Sequence, residues 1–571
     1  MAILPIRKLG GVGIVTDTNP YDLPINAFSD GNNVIFDEGR IARSPVFKQL
    51  YSAIKSVKSW DDFGTDTWAA STVSYEAAEG NNTDASRYVG SYADPSYGET
   101  VFVADNDGTV RAYPEGELQV VTPPLATLIT NEEPYSACQV AGISAIGRKD
   151  MVPYARNLKT DTTYVEMSES NWPTDTTCAV LRSYRDFLIA LNVTKGSTEY
   201  PTMVKWSDII PYGSAVSALD WDETSTTNSA GENVLGELKN PIKDGLSLGT
   251  QFVIYSTDQV WIMEYTGSSL VFNFRRLFPT GGIINTNCVA EVEGKHFVFG
   301  SDDIYVHDGS SKKSIADGRV RRRIYKTLDI NKKDRCYVLH DSVANFIYFC
   351  YVSRQNEVNF PATQFCNKAA IYNYREDTWS FMDVPNTVGG AEASVTLNKT
   401  SYPTVNDDFQ AYNTDYVSFE TATPKVPIML GITDRTNGLT ESRVYATDLP
   451  TVGVVNLPAN LETFKPAYVT RAGLDMDEIQ AGLRGYKTIR GIQPQAEFEV
   501  SDGTFYWQMG ATDLPGGAIV YSTNYYFNPS TDYQISSKVS GRYLAYKITT
   551  SNIENFRISG FDMDAMVISR R

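Results

Sequence analysis

The stretch TQFVIYSTDQVWIMEYTG, residues 250–267, holds two short apolar runs with a polar turn between them. Aromatic and β-branched side chains fill both runs, and these residue types favour strands because they pack well on a pleated surface. Turn-forming residues separate the two runs over a short distance. The stretch therefore predicts an antiparallel β-hairpin.

Similar pairs of runs recur along the chain, beginning near residues 99, 185, 295 and 345. The later pairs follow one another at roughly 45–50 residues, which is the spacing of a propeller blade of about four strands. Roughly five or six such blades fit the middle of the chain. The sequence thus predicts a mainly β protein with a β-propeller core and loop insertions.

The rest of the chain divides around this core. The chain has 571 residues, more than one domain of ~100–200 residues usually holds. Its last 32 residues, SGRYLAYKITTSNIENFRISGFDMDAMVISRR, contain two adjoining strand patterns typical of a sandwich. The predicted domains are an N-terminal arm and hairpin at 1–50, the propeller at 51–390, a loop-rich insertion or tip region at 391–467 and a C-terminal β-sandwich-like platform domain at 468–571.

Gly10, Gly11 and Gly13 form a cluster near the N-terminus. A dinucleotide-binding loop needs a strand before its glycines and a helix after them. Only nine residues precede Gly10, and Pro20 and Pro24 block a following helix. The favoured interpretation is an extended arm in which Gly11 and Gly13 provide backbone flexibility.

The composition limits the classes of partner. The formal net charge is −18 and charged residues make up 21%. Sequence-independent binding of nucleic acid depends on Lys and Arg displacing counterions from phosphates, so we do not expect the chain as a whole to hold DNA tightly.

The six cysteines form no CxxC pair, which fits folding in a reducing cytoplasm. No secretory leader or membrane span stands out, so no membrane anchor is expected.

Candidate catalytic groups are few. The three histidines, His296, His307 and His340, show no HExxH or HxxxH spacing, so a zinc site is not expected. His296 and His307 are predicted on paired strands of one blade.

A glycosidase needs two carboxylates that face one sugar, whereas adjacent acids on a strand point to opposite faces. Adjacent acids occur at Asp61-Asp62, Glu132-Glu133, Asp302-Asp303 and Asp407-Asp408. We therefore predict no enzyme activity, no metal and no cofactor.

One segment departs from the acidic composition. Residues 312–335, the basic segment, hold ten Lys or Arg and three Asp, a local charge of +7 that leaves −25 for the rest of the chain. An inter-subunit or inter-domain ionic contact is the favoured role. Contact with DNA along a channel and plain solvent exposure remain alternatives. Its candidate interface or channel residues are Arg321, Arg322, Arg323, Lys332 and Lys333.

The N-terminal stretch GVGIVTDTNPYDLPINAFSDGNNVIFDEGRIARSPVF, residues 11–47, resembles the start of tail nozzle proteins of short-tailed, podovirus-like bacteriophages, also called tail tubular protein B or tail hub proteins. Those proteins often open with a glycine-rich loop, then prolines, then a hairpin that ends in Arg. The matching residues are Gly11, Gly13, Pro20, Pro24, Phe28, Asn33, Val34, Gly39, Arg40 and Pro45. Residues 253–267, 297–309 and 368–384 are similar to their propeller, and residues 540–567 to their C-terminal sandwich.

This resemblance implies a structural virion protein of the viral tail, synthesised in the host cytoplasm. Copies of the chain would form a ring, usually six-fold, mounted below a tail adaptor protein on the portal. The ring would continue the DNA channel, hold tail fibre proteins, close the tail tip and take part in DNA ejection. Double-stranded DNA would pass without sequence-specific binding, because an acidic lumen repels phosphates.

The resemblance also implies a role for the arm. Gly11, Gly13, Pro20 and Pro24 would contact a neighbouring subunit or the adaptor. Deletion of residues 1–24 would then impair assembly while leaving the monomer folded.

Two other classes of function stay open, because a fold does not determine a function. A carbohydrate-binding β-propeller or adhesin would present a surface patch of aromatic and Asp or Asn side chains. A propeller glycosidase would depend on a carboxylate in the central cavity.

Overall fold

The structure is a computed structural model of the full chain. It describes residues 2–51, 54–55, 86–105, 108–114, 119–121, 133–167, 171–268, 270–354, 365–398, 420–434, 440–447, 461–462, 466–476, 485–499, 503–551 and 555–569. Strands dominate these ranges, as the sequence predicts.

Short strands open the chain. They are β1 (Ala2–Arg7), β2 (Gly13–Ile14), β3 (Ala27–Phe28), β4 (Asp30–Asn32), β5 (Val34–Asp37), β6 (Arg40–Arg43), β7 (Phe47–Gln49) and β8 (Ile54–Lys55). β5 and β6 form the hairpin expected at this position, with Val34 opposite Arg43 and Asp37 opposite Arg40. Its turn uses Glu38 and Gly39, both with positive φ.

Five separate four-stranded antiparallel sheets follow in the described ranges, each built from strands adjacent in sequence. We name them blades 1 to 5. Blade 1 comprises β9 (Ser86–Asp94), β10 (Gly98–Asp105), β11 (Val110–Tyr113) and β12 (Gln119–Val120). Blade 2 comprises β13 (Ser136–Val140), β14 (Ile143–Gly147), β15 (Tyr154–Asn157) and β16 (Val165–Glu166), and blade 3 comprises β17 (Thr176–Tyr184), β18 (Phe187–Lys195), β19 (Thr198–Trp206) and β20 (Gly231–Val234). Blade 4 comprises β21 (Ile242–Leu248), β22 (Gln251–Ser256), β23 (Val260–Tyr265) and β24 (Phe272–Phe278), and blade 5 comprises β25 (Val289–Val292), β26 (Lys295–Phe299), β27 (Ile304–His307) and β28 (Lys312–Ser314).

A sixth blade begins a larger sheet. Its strands are β29 (Tyr337–Asp341), β30 (Phe346–Tyr351), β31 (Cys366–Asn373) and β32 (Thr378–Asn398). The sheet continues past the blade through β33 (Glu420–Asp434) and β34 (Thr440–Thr447), and then through β7 to β35 (Leu461–Glu462).

The six blades surround a common axis. The innermost strand of each of blades 1 to 5 contacts the innermost strand of the next blade, and β9 also packs against β32, which closes the circle. The core of the protein is therefore a β-propeller. The hairpins predicted from sequence are confirmed as the pairs β10–β11, β18–β19, β22–β23, β26–β27 and β30–β31.

The C-terminal strands form a β-sandwich. They are β36 (Ala467–Leu474), β37 (Tyr486–Phe498), β38 (Phe505–Thr512), β39 (Val520–Tyr521), β40 (Tyr525–Phe527), β41 (Ile535–Gly541), β42 (Tyr543–Thr550) and β43 (Phe556–Ser569). We call the sheet that contains β37, β41 and β43 sheet I, and the sheet that contains β36, β38 and β42 sheet II. Ring centroids of Trp507 in sheet II and Phe561 in sheet I lie 5.6 Å apart in the core between the sheets.

The structure corrects the interpretation of the stretch before the β5–β6 hairpin as an extended arm. β1 pairs with β43 along its whole length, from Ala2 opposite Ala565 to Arg7 opposite Gly560. β4 adds to sheet II and the β5–β6 hairpin adds to sheet I. Leu4, Ile6, Leu9 and Ile14 lie in the buried core. The chain ends fold together because the N-terminal strands supply apolar side chains that the C-terminal sheets cover.

The loop-rich description of residues 391–467 is also wrong for its described part. The second half of β32 pairs with β33, from Thr387 opposite Gly431 to Asn398 opposite Glu420. Ile428, Leu430 and Val444 are buried there against blade 1. The segment was predicted to be loop-rich because its polar residues interrupt the apolar ones that would otherwise indicate strands.

Helical structure is sparse in the described ranges. α1 (Arg321–Thr327) is an α-helix, and single 3₁₀ segments span Pro20–Asp22, Val216–Ala218 and Ile330–Arg335. Among the described residues, no helix is long and apolar enough to cross a membrane.

Candidate functional site

The propeller axis carries a buried ion pair. Arg182, on the innermost strand of blade 3, donates from Nε and Nη2 to the two oxygens of Asp244 on blade 4, at 2.9 and 3.0 Å. Its Nη2 also donates to Oδ1 of Asn287, just before blade 5, at 2.7 Å. Burial is the largest single effect and acts to lower the pKa of Arg182, but the charge and hydrogen bonds of Asp244, with smaller contributions from Tyr88 and Cys138, together raise it above its ordinary value.

Neighbouring groups complete this cluster. The backbone N–H of Gly245 donates to Oδ1 of Asp244, and that of Asn287 to Oδ2, both at 2.7 Å. Nδ2 of Asn287 donates to the carbonyl of Tyr135 on the approach to blade 2, at 3.0 Å. Four donors therefore hold Asp244, so its carboxylate is occupied as an anchor and is not presented as a catalytic base or nucleophile.

Beside the cluster lies a small cavity on the axis, of about 160 Å³, lined by residues of blades 1 and 3 to 6 and by the segment that leads into blade 2. A wider cleft of about 760 Å³ adjoins it and is lined by charged side chains, among them Glu133, Lys149, Glu199, Lys243 and Lys332. Neither space has the width of a DNA duplex, because side chains from facing blades meet at the axis. Any DNA channel would have to lie between copies of the chain.

The basic segment lies on the side of the propeller that meets the sandwich. Arg323 on α1 pairs with Asp30 of β4, with Nη1 and Oδ1 2.6 Å apart. Its guanidinium also stacks over the ring of Phe381, 4.1 Å from the centroid. Arg323 thus makes an inter-domain ionic contact, one of the two contacts expected for this segment.

The other four candidate cations have separate surroundings. Arg321 donates from Nε to the carbonyl of Asp302 at 2.8 Å and pairs with Asp317 at 3.3 Å. Arg322 uses its backbone N–H on Asp17, at 2.8 Å, and its side chain is exposed. Lys332 and Lys333 lie in the 3₁₀ segment, and Lys332 lines the axial cleft.

The five cations therefore do not form one surface. Arg321 and Arg322 border a cleft of about 660 Å³ together with Lys326 and Ile330, whereas Arg323 contacts the sandwich and Lys332 lines the axial cleft. Within the described residues, no ion pair involves the side chains of Arg322, Lys326 or Lys333.

The glycines and prolines of the N-terminal stretch make contacts inside the chain. Gly13 has φ of 80°, and a Cβ there would lie 2.8 Å from the carbonyl oxygen of Trp379. A Cβ on Gly11 would lie 2.9 Å from Nδ2 of Asn26. Gly13 therefore permits close backbone approach to blade 6, and Gly11 permits close approach of the Asn26 side chain, so neither glycine is the hinge of a mobile arm.

The backbone carbonyls of Pro20 and Pro24 also accept hydrogen bonds from groups inside the chain. Arg471 of β36 is buried and donates to the carbonyl of Pro20 at 2.6 Å and to that of Leu23 at 2.7 Å. The carbonyl of Pro24 accepts from the N–H of Ala27 at 3.1 Å. Contacts of these residues with a partner, as the resemblance implies, stay a prediction.

His296 and His307 lie opposite each other on β26 and β27, as predicted. Tyr255 joins them through its hydroxyl, 2.7 Å from Nδ1 of His296 and 2.6 Å from Nε2 of His307. Gly309 donates its N–H to Nδ1 of His307, and Nε2 of His296 lies 2.9 Å from the carbonyl of Ser247. One proton arrangement satisfies every bond with both rings neutral.

Burial lowers the pKa of His296 to about 4 and that of His307 to about 3. The rings are therefore neutral at physiological pH and act as hydrogen-bonding spacers inside the propeller. His340 is half-buried, with Nε2 3.4 Å from the hydroxyl of Tyr374.

The other candidate acids have structural contacts or lie outside the described residues. Asp302 and Asp303 occupy a turn in which the carbonyl of Asp303 accepts from the N–H of Gly300 at 2.9 Å. Asp61-Asp62, Glu132 and Asp407-Asp408 lie outside the described residues.

Cysteines far apart in sequence meet around blade 6. Cys288 donates from Sγ to the carbonyl of Cys336 at 3.0 Å, and Cys366 to that of Arg335 at 3.1 Å. All six cysteines are free thiols. Burial raises the pKa of Cys350 to about 12 and also raises the pKa of Cys288, Cys336 and Cys366. Protonated buried thiols of this kind are poor nucleophiles.

Sequence reasoning missed the axial cluster. Arg182, Asp244 and Asn287 are isolated in the sequence and belong to no motif, so only the closure of the propeller brings them together.

No family model matches the chain, and no curated protein matches it. Solved structures match at low identity. AztD from Citrobacter koseri is 11% identical, with 60% of this chain and 80% of that chain covered and a TM-score of 0.31. YCF48 bound to D1 peptide is 7% identical, with 63% and 92% covered and a TM-score of 0.32. The exo-β-1,3-galactanase from Phanerochaete chrysosporium is 9% identical, with 78% and 98% covered and a TM-score of 0.23.

Proposed function

We propose that the chain is a structural virion protein that forms the tail nozzle ring of a short-tailed bacteriophage. As an oligomer of six copies, it would continue the DNA channel below the portal and adaptor, close the tail tip and take part in ejection. Tail fibre proteins would attach to its outer surface.

The observation that carries the proposal concerns the chain ends. Residues 11–47 and 540–567 bear the resemblance to nozzle proteins, and they lie more than 490 residues apart. In the structure, β3 to β6 and β41 to β43 belong to one sandwich and its border with blade 6. The two stretches that resemble the family are therefore parts of one folded unit, as expected if they derive from one ancestral platform domain.

The propeller axis supports a particular ring geometry. The Arg182–Asp244–Asn287 cluster leaves an axial cavity of only about 160 Å³, so the DNA path would run through a lumen enclosed by neighbouring subunits. A total charge of −18 per chain gives such a ring a strongly negative field, which keeps DNA mobile inside it. The exposed cations Arg322 and Lys326 are available to an acidic surface of a neighbouring protein.

The composition of virus particles tests the proposal. Particles purified from the native source should contain this chain at a fixed copy number, with six expected, by quantitative mass spectrometry against labelled peptide standards. Empty particles that have ejected their DNA should retain it. Absence of the chain from infectious particles would contradict the proposal.

A further inference from the structure

The outer face of sheet II carries aromatic side chains in register across its strands. Phe505, Trp507 and Met509 point into the core, so the alternate residues of β38 point outward. Tyr506 pairs with Tyr526 on β40 and with Thr549 on β42, and Thr549 pairs with Tyr468 on β36. We call Tyr526, Tyr506, Thr549 and Tyr468 the tyrosine row.

The tyrosine row is exposed at its Tyr526 end and partly buried along the rest. Tyr526 is 69% exposed, and Tyr506 and Tyr468 are half-buried. The rings of Tyr506 and Tyr526 meet edge to face, with centroids 5.1 Å apart. Since neighbouring strands lie ~4.8 Å apart, Tyr506 and Tyr468 are separated by roughly 9.6 Å across the sheet.

A second row of polar residues runs beside the first. Gln508 pairs with Lys547, Lys547 with Thr470, and Thr470 with Asp30. We call these four residues the polar row. Lys547 lies over the ring of Tyr468, with Nζ 4.9 Å from the centroid. Tyr468 in turn donates its hydroxyl to Oδ2 of Asp30 at 3.3 Å. Hydrogen-bonding groups thus border the aromatic rings along the width of the sheet.

Two small residues, Gly510 and Ala545, lie on the outer face of sheet II beside the polar row. Gly510 is the next outward position on β38, and a Cβ there would lie 3.0 Å from Cδ1 of Tyr521. The glycine therefore lets the Tyr521 ring lie close against the sheet. Ala545 occupies the facing position on β42. Gly510 and Ala545 are both buried, so the Tyr521 ring closes this end of the face, and its solvent-accessible part consists of the tyrosine row and the polar row.

The outer face of sheet I is different, which makes the two rows specific to one side of the sandwich. Its exposed positions include Arg490, Gln493, Gln495 and Lys538. The same sheet also exposes the aliphatic side chains of Ile3, Met566 and Ile568, and unlike the side chains of the tyrosine row these carry no aromatic ring.

We propose that the tyrosine row and the polar row together form a glycan-binding platform for a linear chain of pyranose rings. Each sugar ring has an apolar C–H face that stacks on an aromatic ring and a hydroxyl-bearing edge that bonds to polar side chains. Tyrosine suits this role because its ring is apolar and its hydroxyl is polar. The separation of Tyr506 and Tyr468 exceeds that of two directly linked pyranose rings and fits two rings of a linear chain with one ring between them. Thr549, Gln508 and Lys547 lie beside them as hydroxyl partners.

The proposed site is on the sandwich and does not depend on the nozzle proposal. It differs from the propeller cavity in which a glycosidase would hold its substrate, and it needs no catalytic carboxylate. The platform would recognise its partner through ring stacking and through hydrogen bonds to the hydroxyl groups of the sugar.

A printed array of bacterial, plant and mammalian glycans, probed with the labelled full-length chain, tests the platform. The glycan retained best would then be titrated in solution by calorimetry. Tyr526→Ala should weaken binding roughly tenfold, since loss of one stacking contact is worth about 1.4 kcal/mol. Tyr506→Phe keeps the ring and should retain affinity within about threefold.

Tyr212→Ala is the matched control, because Tyr212 is 78% exposed on the propeller. It should bind like the wild type. The proposal is overturned if the wild-type chain retains no array glycan above background. It is also overturned if Tyr526→Ala binds as tightly as the wild type, which would place the site elsewhere.

Discussion

Lys368 on β31 and Asp383 on β32 form a buried ion pair, with Nζ and Oδ1 2.8 Å apart and side chains only 3% and 4% exposed. Asn32 and Asn33, from the N-terminal strands, each donate Nδ2 to Oδ2 of Asp383 at 3.0 Å. The backbone N–H of Asp383 donates to Oδ1 of Asn33 at 2.9 Å. These hydrogen bonds connect the N-terminal strands of the sandwich to blade 6.

Asp383→Ala should destabilise the protein by about 3–5 kcal/mol, because it leaves the Lys368 ammonium buried without its counterion. Glu293→Ala removes the exposed partner of Arg375 and should cost no more than about 1 kcal/mol. Urea unfolding followed by fluorescence measures both. Equal stabilities of the two variants would show that the Asp383 network does not hold the domains together.

Arg323→Ala should lower the free energy of unfolding by about 1–2 kcal/mol, since it removes both the Asp30 contact and the stacking on Phe381. Arg322→Ala alters a neighbouring exposed side chain and should change stability by less than about 0.5 kcal/mol. Hydrogen exchange of residues 466–476 should rise in the first variant only. Similar exchange in the two variants would argue against a junction role for Arg323.

The two buried histidines should make stability depend on pH. Their folded pKa values, about 4 for His296 and about 3 for His307, lie below the ordinary value of 6.5. The unfolded chain therefore binds more protons below pH 6.5, and stability falls as the pH falls. The expected loss between pH 6.5 and 5 is about 1.5 kcal/mol for each histidine.

A His296→Gln/His307→Gln variant checks this assignment. Groups near the rings include Glu291, Asp308 and Lys312, and all three remain in the variant. Its unfolding free energy should vary less with pH between 6.5 and 5 than that of the wild type. Parallel pH profiles would assign the dependence to other groups.

Removal of residues 1–24 should unfold or loosen the sandwich. The deletion takes away β1 and β2 and with them the buried side chains of Leu4, Ile6, Leu9 and Ile14. Each is worth about 1.5–3 kcal/mol when fully buried. Limited proteolysis should cut the truncated chain within residues 466–569 faster than the full chain. A truncated chain of unchanged stability would restore the interpretation of this segment as a separate arm.

The propeller was predictable from sequence because its strands are local. In stretches such as residues 250–267, alternating apolar runs and short turns identify hairpins without reference to the rest of the chain. His296 and His307 could be placed opposite each other for the same reason.

Contacts between distant segments were not predictable in this way. The pairing of β1 with β43 joins opposite ends of the chain, and the short N-terminal strands have no periodic signal of their own. The Arg182–Asp244–Asn287 cluster depends on closure of the propeller. The tyrosine row depends on the register of four strands, which single residues such as Tyr468 and Tyr526 do not reveal.

The most direct test of the nozzle proposal is immunogold labelling of virus particles from the native source, with antibody against this chain. The proposal predicts gold at the distal end of a short tail, on intact particles and on particles that have ejected their DNA. Intact tails without gold, with the antigen found on cells instead, would contradict it.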